Sequence, residues 1–421
     1  MTIKKIKVSN FKSFKNLEVE LNDFNIFIGG NAAGKSGFVQ VFNFLKIISR
    51  DGLRNAVSMQ GGVEYLRNIN IGGNEPLSFE IVFNGSGAKK LEKEERDRKL
   101  YRQPLESSYS FSIDFSQNDN DHFEILEDRL TRRFLYKECR DGQEKEIGKV
   151  SVTLFNNKGK PDIEIDDSGL QGVDGFEFKK EEIIPPFFGE VDSLGEELLL
   201  ETAYALLLDS SLRDIVKGIS IYNINPGLPK RAAPSSGKAE LEEDGSNLAL
   251  ILKRILENEE KKRTFSNLIQ DVLPFVEKMG VEKISDSSLL LKLKEIYVKD
   301  KYIPASLLSD GTIIITALII ALYFDRKKIL IIEEPERNIH PHLISKLVEM
   351  FADASRKKQL LITTHNPEIV KYVDLKKLFL VQRDKEGFSK INRPFEKEEV
   401  RVFLENEMGI DELYIQNLLE V

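Results

Sequence analysis

A short, largely apolar run, Phe24-Asn25-Ile26-Phe27-Ile28, leads directly into Gly29-Gly30-Asn31-Ala32-Ala33-Gly34-Lys35-Ser36. Beyond it, Phe38, Val39, Phe42, Leu45 and Ile48 recur at helical spacing. The order is therefore buried strand, glycine-rich turn, helix, which is the setting of a phosphate-binding P-loop, G-x-x-x-x-G-K-S. Gly29, Gly30 and Gly34 let the backbone turn tightly, so that N–H groups and a helix N-terminus face phosphate oxygens. Asn31, Ala32 and Ala33 fill the loop, and Gly37 follows it. Lys35 is placed to reach β- and γ-phosphates, and the Ser36 hydroxyl to ligate Mg²⁺. A chance lysine in a glycine turn would not bring both flanking elements with it. A nucleoside triphosphate is the expected ligand.

The second half supplies the groups such a loop needs. Lys328-Ile329-Leu330-Ile331-Ile332 reads as a buried strand ending in Glu333-Glu334-Pro335-Glu336. An acidic pair at that end of a strand is where a P-loop enzyme holds Mg²⁺ and polarises water. Glu333 takes the metal-side position, reaching the ion through a bound water, and Glu334 the general-base position. Further on, Gln359 to Thr364 forms another apolar strand with His365 at its tip, in the same polarity, so His365 is expected to point at the γ-phosphate. Leu307-Leu308-Ser309-Asp310-Gly311-Thr312 precedes a helix from Ile313 to Tyr323. There Ser309 and Gly311 offer a hydroxyl and backbone N–H groups to a phosphate. Taken alone, that tetrapeptide is an ordinary helix cap; its place one helix before the acidic strand gives it weight.

The start of the chain alternates, Thr2 to Val8 and Leu17 to Leu21, as a hairpin leading into the P-loop strand would. That pairing places Lys12 and Phe14 close to the nucleotide, although a plain sheet with a lysine on its edge fits them equally well. Strands are expected at Leu77 to Phe83, Tyr109 to Phe115, Phe123 to Leu126, Thr131 to Tyr136, Val150 to Phe155 and Ile163 to Ile165. Lys89 to Arg102 carries dense charge of both signs and reads as a solvated helix or loop. Arg129, Arg132, Arg133, Lys137 and Arg140 cluster without interleaved stacking aromatics, so a solvated face is favoured over a nucleic-acid groove. Val191 to Ile215 looks helical, Ile219 to Ile224 strand-like, and Pro229 to Lys238 a linker or mobile loop. Ser246 is a candidate cap for a helical stretch reaching about Val276. No internal repeat is visible.

Composition closes off some classes. A chain of 421 residues with 41% hydrophobic content can fill two lobes. The single Cys139 makes no intramolecular disulfide, which fits a reducing cytoplasm. Lysines interrupt any apolar run at the start, and Ile313 to Phe324 is too short to span a bilayer, so neither a signal peptide nor a membrane contact is expected. The net charge of −8 excludes a protein coated in positive potential, though not a local basic groove.

GGNAAGKS, LSDGT, IIEEPERNIHP and TTHNP, in this order, resemble ABC-type ATPases of the RecF/OLD/SMC-like branch. The likeness is greatest to stand-alone ATPases of phage-defence and abortive-infection modules. IKVSNFKSFKNLEVEL, DGSNLALIL and DELYIQNLL fit that group too. The resemblance implies an α/β fold, an ATPase head with a mixed sheet built from both chain ends and a mainly helical middle lobe. The corresponding blocks are 1–179, 180–304 and 305–421. It implies ATP and Mg²⁺, catalytic roles for Lys35, Glu334 and His365, and a Walker B role for Glu333. It also implies a signature made by Ser309 and Gly311 that completes the site of a second copy in an ATP-dependent dimer or higher oligomer. Asp310 stands where many ABC proteins have glycine, and no glutamine loop is evident, Gln60 being the one candidate. His340-Pro341-His342 falls in the subunit contact by the same resemblance.

Relatives of the OLD type carry a nuclease domain after the ATPase. The stretch from Asn366 to Val421 is shorter than the roughly 100 residues such a domain takes. The output expected is a separate effector, a nuclease, with a nucleic acid or a phage protein as trigger. Two alternatives stand beside it: the nucleotide-binding subunit of a membrane transporter, and a regulator that binds ATP with slow turnover.

Overall fold

The structure is a computed structural model. It describes residues 2–85, 89–95, 98–115, 123–170, 194–195, 197–204, 210–396, 398 and 410–415. The chain opens on strands β1 (Ile3–Phe11), β2 (Phe14–Glu20) and β3 (Phe24–Ile28), followed by helix α1 (Lys35–Asp51). Strands β4 (Leu77–Asn84), β5 (Lys90–Glu95), β6 (Arg98–Phe115), β7 (Phe123–Arg140), β8 (Gln143–Asn157) and β9 (Lys160–Asp166) come next. The second half holds β10 (Ile219–Tyr222), β11 (Ala233–Pro234), α2 (Leu248–Leu256), α3 (Glu259–Val272), β12 (Val276–Ser285), β13 (Ser288–Glu295) and β14 (Ile303–Pro304). It continues with α4 (Asp310–Tyr323), β15 (Ile329–Glu333), α5 (Ile344–Ala354), β16 (Gln359–Thr364) and β17 (Leu378–Arg383).

Contacts group these elements into two compact units that interleave along the chain. The first takes in Met1–Leu21, Gly37–Ile219 and Arg383–Ile391. The second takes in Asn22–Ser36, Ser220–Gln382 and Asn392–Val421.

The first unit is built on an antiparallel sheet in the order β2-β1-β4-β6-β7-β8-β9, with β5 added beside β6. Its strands alternate as one-sided strands should: in β4, Leu77, Phe79, Ile81 and Phe83 are buried and the residues between them partly open. Phe79 lies opposite Phe111 in the register, their rings stacked 5.0 Å apart, and Phe11 and Phe44 of α1 pack on the same cluster. The charge-rich stretch from Lys89 to Arg102 is a strand pair rather than a solvated helix or loop. Leu100, buried at 4% exposure, and cross-strand ion pairs such as Lys99–Glu94 hold it in the sheet. The strands expected piecewise from Tyr109 to Ile165 are continuous and longer.

The second unit holds a sheet in which β10, β15, β16, β3 and β17 lie side by side in that order. The pairs β15–β16, β16–β3 and β3–β17 are parallel. Strands covered on both faces need apolar residues throughout, and β3 and β16 are buried at every position. Because these strands are parallel, Ile28, Glu333 and Thr364 all end on one edge of the sheet, and the loops that follow open there. Helix α4 is apolar all round; every residue from Thr312 to Leu322 is buried.

The middle stretch 180–304, expected to be mainly helical, is mixed among its described residues. Helices α2 and α3 pack with an antiparallel sheet in which β11, β13 and β12 are neighbours and β14 pairs β13. The helical run divides at Asn258, whose side chain caps α3 at Lys261 N, and gives way to strand at Val276. Asn247, not Ser246, immediately precedes α2, and its amide binds Glu240 O and Glu242 N instead of capping. The expected linker is anchored: Ala233 and Pro234 pair with Leu289 and Ser288. Within Val191 to Ile215, the described residues hold a 3₁₀ turn, Leu199–Glu201, and the start of the helix Ser210–Lys217. The remainder lies outside the described residues.

Candidate nucleotide site

The P-loop turns off β3 inside the second unit. Gly29 N donates to Thr364 O on the neighbouring strand, and Ala33 N to Gly30 O. A β-carbon at Gly29 would lie 2.2 Å from the carbonyl oxygen of Val381, so only glycine lets the loop pass β17 this closely. Ala32 and Gly34 adopt positive φ, 59° and 119°, as the loop reverses. Gly30, Asn31 and Ala32 remain exposed at its crest.

Lys35 opens α1 and folds back into the loop. Its Nζ donates to Gly29 O at 2.7 Å and Gly30 O at 2.9 Å. Burial lowers its pKa, with Glu334 and Glu336 partly opposing the shift. This is the arrangement of a cation held ready for phosphate oxygens.

The acidic turn stands beside it. At the end of β15, burial raises the Glu333 pKa and the Glu334 charge adds to this, with the nearby Ser36 and Asn223 side chains acting the other way. Glu334 sits at a positive φ of 43°, its N–H given to Thr363 O. That strained turn aims the carboxylate at two donors, Arg337 at 2.5 Å and His365 Nδ1 at 3.1 Å. Burial acts to raise the Glu334 pKa, but the bonds from Arg337 and His365 outweigh it and hold the carboxyl below its ordinary value.

Glu336, 5% exposed, receives the Thr364 hydroxyl on Oε1 at 2.5 Å, while Oε2 has no hydrogen-bond partner among the described residues. Burial raises its pKa. Thr364 Oγ1 in turn accepts Asn366 N, so one carboxyl fastens the acidic turn to the turn that carries His365. Neither Glu336 nor Thr364 was singled out by sequence reasoning. The E-E-P-E spacing was the available signal, since Glu336 lies two residues past the expected base.

Ser309 is the N-cap of α4, its Oγ accepting from Thr312 N at 3.2 Å. Gly311 follows where the turn after the acidic strand presses close: a β-carbon there would lie 2.8 Å from Asn338 O. His340 and His342 are exposed in a 3₁₀ turn, their Nδ1 atoms 2.6 Å apart.

Thus Gly29 to Ser36, Glu333, Glu334 and His365 come together on one sheet edge, and Ser309 with Gly311 belongs to the same unit. Lys12 and Phe14 belong to the other unit, where a β-carbon at Gly37, the residue after Ser36, would lie 3.6 Å from the Phe14 ring and 3.9 Å from Lys12 Cβ. The Phe14 side chain is fully buried in that unit's core. Lys12 is lowered in pKa by burial and spends its ammonium on Gln60 O and Tyr65 O. Gln60, the candidate coupling glutamine, bonds Gln40 through its side chain. Gly37, in the first turn of α1, falls in the first unit as well.

A family model described as "AAA domain, putative AbiEii toxin, Type IV TA system" matches residues 24–371. Among curated proteins, an uncharacterized protein of Methanocaldococcus jannaschii is 28% identical over 93 residues, 21% of this chain and 24% of that protein; the match spans about a quarter of the relative's length. Solved structures with similarity include an SMC head bound to the C-terminal winged-helix domain of ScpA, at TM-score 0.48 and 14% identity, covering 93% of this chain and 97% of that one. Another is the Pyrococcus furiosus SMC head with an extended coiled coil, bound to the C-terminal domain of ScpA, at TM-score 0.46 and 14% identity, covering 97% and 100%. The matched span contains the P-loop, the Ser309–Gly311 turn, the acidic turn and His365. The chain belongs to the AAA-domain family of putative AbiEii toxins of type IV toxin–antitoxin systems.

Proposed function

We propose that this ATPase hydrolyses ATP in a composite site and thereby governs a separate effector protein, a nuclease, in phage defence or DNA processing. In this reading the P-loop side of one copy is closed by Ser309 and Gly311 of a second. The observation that supports the chemistry best is the division of labour between adjacent glutamates: Glu333 ends its strand beside Ser36, while Glu334 is held between His365 and Arg337.

Ser36 and Glu333 are oxygen donors that fit Mg²⁺, which ordinarily takes one or two protein ligands together with substrate phosphates. Burial of the Glu333 carboxyl without a strong cationic partner is what a divalent ion would relieve. When bound, Mg²⁺ would neutralise charge on the phosphates. Lys35 binds the β- and γ-phosphates, giving up its loop carbonyls to do so. Glu334 orients the attacking water and takes its proton, and His365, beside it, faces the developing charge.

The defence setting is supported by the family's description as putative toxins of a toxin–antitoxin system. A nucleic acid or phage protein is the proposed trigger. A cytoplasmic setting accords with the lone Cys139 and with described helices too short or too polar to cross a membrane.

Glu334→Gln tests the chemistry. It should retain ATP binding, lose turnover by roughly 10²-fold or more, and sediment as an ATP-stabilised dimer. Full turnover by that variant would remove Glu334 from the role of base. Incubating the protein with plasmid and single-stranded DNA, alone and with the product of the adjacent gene, tests the effector. DNA cleavage by the lone chain, unaffected by Glu334→Gln, would overturn the separate-effector reading.

A further inference from the structure

Asp310 sits at the first position of α4, between Ser309 and Gly311, where its negative charge opposes the binding of a phosphate. Both its carboxylate oxygens are engaged by distant parts of the chain. Lys230 Nζ lies 2.5 Å from Oδ1, and Asn338 Nδ2 lies 3.4 Å from Oδ2. Lys230 is delivered by a built turn. Leu228 N donates to Asn225 O and Arg231 N to Leu228 O, then Ala233 and Pro234 join β13, and Ser235 N closes on Ser287 O.

Stability does not call for this pair. An acidic residue in the first turn already benefits from the field of the helix. The lysine and aspartate side chains are 24% and 42% exposed, and pairs of that kind contribute little. What the lysine does change is the charge met by a group approaching the helix start. The first N–H groups of a helix lack intrahelical acceptors and are the ones a phosphate would take. A bare carboxylate beside them repels the phosphate, whereas a carboxylate paired on both oxygens leaves the helix field dominant.

We propose that Lys230 is a positioning residue of the composite ATP site: it neutralises Asp310 so that the start of α4 can receive the γ-phosphate bound by the P-loop of a second copy. This rests on the composite-site reading above. The Pro229 to Lys238 segment is then the strap that equips the signature turn for a phosphate despite its aspartate.

The test is a double-mutant cycle on the full chain. Lys230→Ala should lower kcat about tenfold, leaving the Kd for a fluorescent ATP analogue on the Lys35 side and the thermal unfolding midpoint nearly unchanged. Lys230→Arg should restore turnover. In an Asp310→Gly background, Lys230→Ala should cost nothing further, because no charge is left to neutralise. An equal loss in both backgrounds, or no recovery with arginine, overturns the proposal. A mixture of Lys35→Ala and Ser309→Arg proteins checks the underlying reading separately, since only a composite site regains about one intact site per pair. Recovered activity in that mixture with no effect of Lys230→Ala sinks the lysine alone. A mixture that stays inactive removes the composite site and this proposal with it.

Discussion

Two turns of this molecule open onto a helix N-terminus, and they are built on opposite plans. The turn before α1 is self-contained: its glycines, its lysine and its serine lie within eight consecutive residues, and Lys35 bonds carbonyls five and six residues before it. The turn before α4 borrows. Its aspartate is balanced by Lys230 from 80 residues upstream and by Asn338 from 28 residues downstream. A self-contained turn works as soon as its strand and helix are in place. A borrowed one depends on two other loops, so its competence is open to adjustment without changing the turn itself.

The largest effect that contrast predicts is at Lys35. Lys35→Ala should abolish both ATP binding, read by equilibrium titration, and turnover, because the same charge serves the ground state and the transition state. Retained binding would mean that the loop amides suffice and that the first turn is less dependent on its lysine than the structure indicates.

Next come the glycines. Gly29→Ala drives a β-carbon to 2.2 Å from Val381 O, whereas at Gly30 nothing lies within 4 Å. The first change should cost at least about 1–3 kcal/mol of stability along with ATP binding, and the second should fold like the unmodified chain. Thermal melts of the two proteins side by side decide this; equal melts would show that β17 yields to the loop.

A gentler version applies at the other turn. Gly311→Ala meets Asn338 O at 2.8 Å, which a small shift of the Asn338 turn could relieve. ATP binding by the P-loop should persist while turnover falls several-fold. Loss of binding equal to that of Gly29→Ala would erase the distinction between the turns.

A separate control reads stability alone and belongs to neither turn. In the first unit, Asp128 is buried at 1% exposure and accepts the Tyr109 hydroxyl and Leu199 N–H. Burial pushes its carboxyl up to about 7. A carboxyl raised on folding favours the folded state below its unfolded pKa, and that advantage is lost as pH climbs through the folded value. Between pH 4 and 7 the unit should therefore lose stability, by no more than about 4 kcal/mol from this group. In Asp128→Ala, which loses the titrating group, that slope should disappear, and an unchanged slope in pH-dependent melts would exclude Asp128 as its source.

Legibility in the sequence followed the same division. The P-loop, the Glu333-Glu334 pair and His365 could be read because each is a local pattern at the end of an apolar run. A parallel sheet then gathers the ends of such runs on one edge. The charged run Lys89 to Arg102 misled because dense charge of both signs hides alternation: Leu100 is buried while its neighbours pair across strands.

The sequence by itself marked out the candidate groups for phosphate, Mg²⁺ and water, since those roles need particular side chains at fixed short spacings on a strand–turn–helix. It also determined the family, through the order of four such patterns. Only the tertiary structure decided which partners tune them. The Glu336 bond to Thr364 spans 28 residues of sequence, and the Lys230 bond to Asp310 spans 80. The physical reason is that an ion pair or hydrogen bond between distant residues leaves no periodicity in the chain. Its existence depends on how strands from both halves are laid side by side, which no local spacing records.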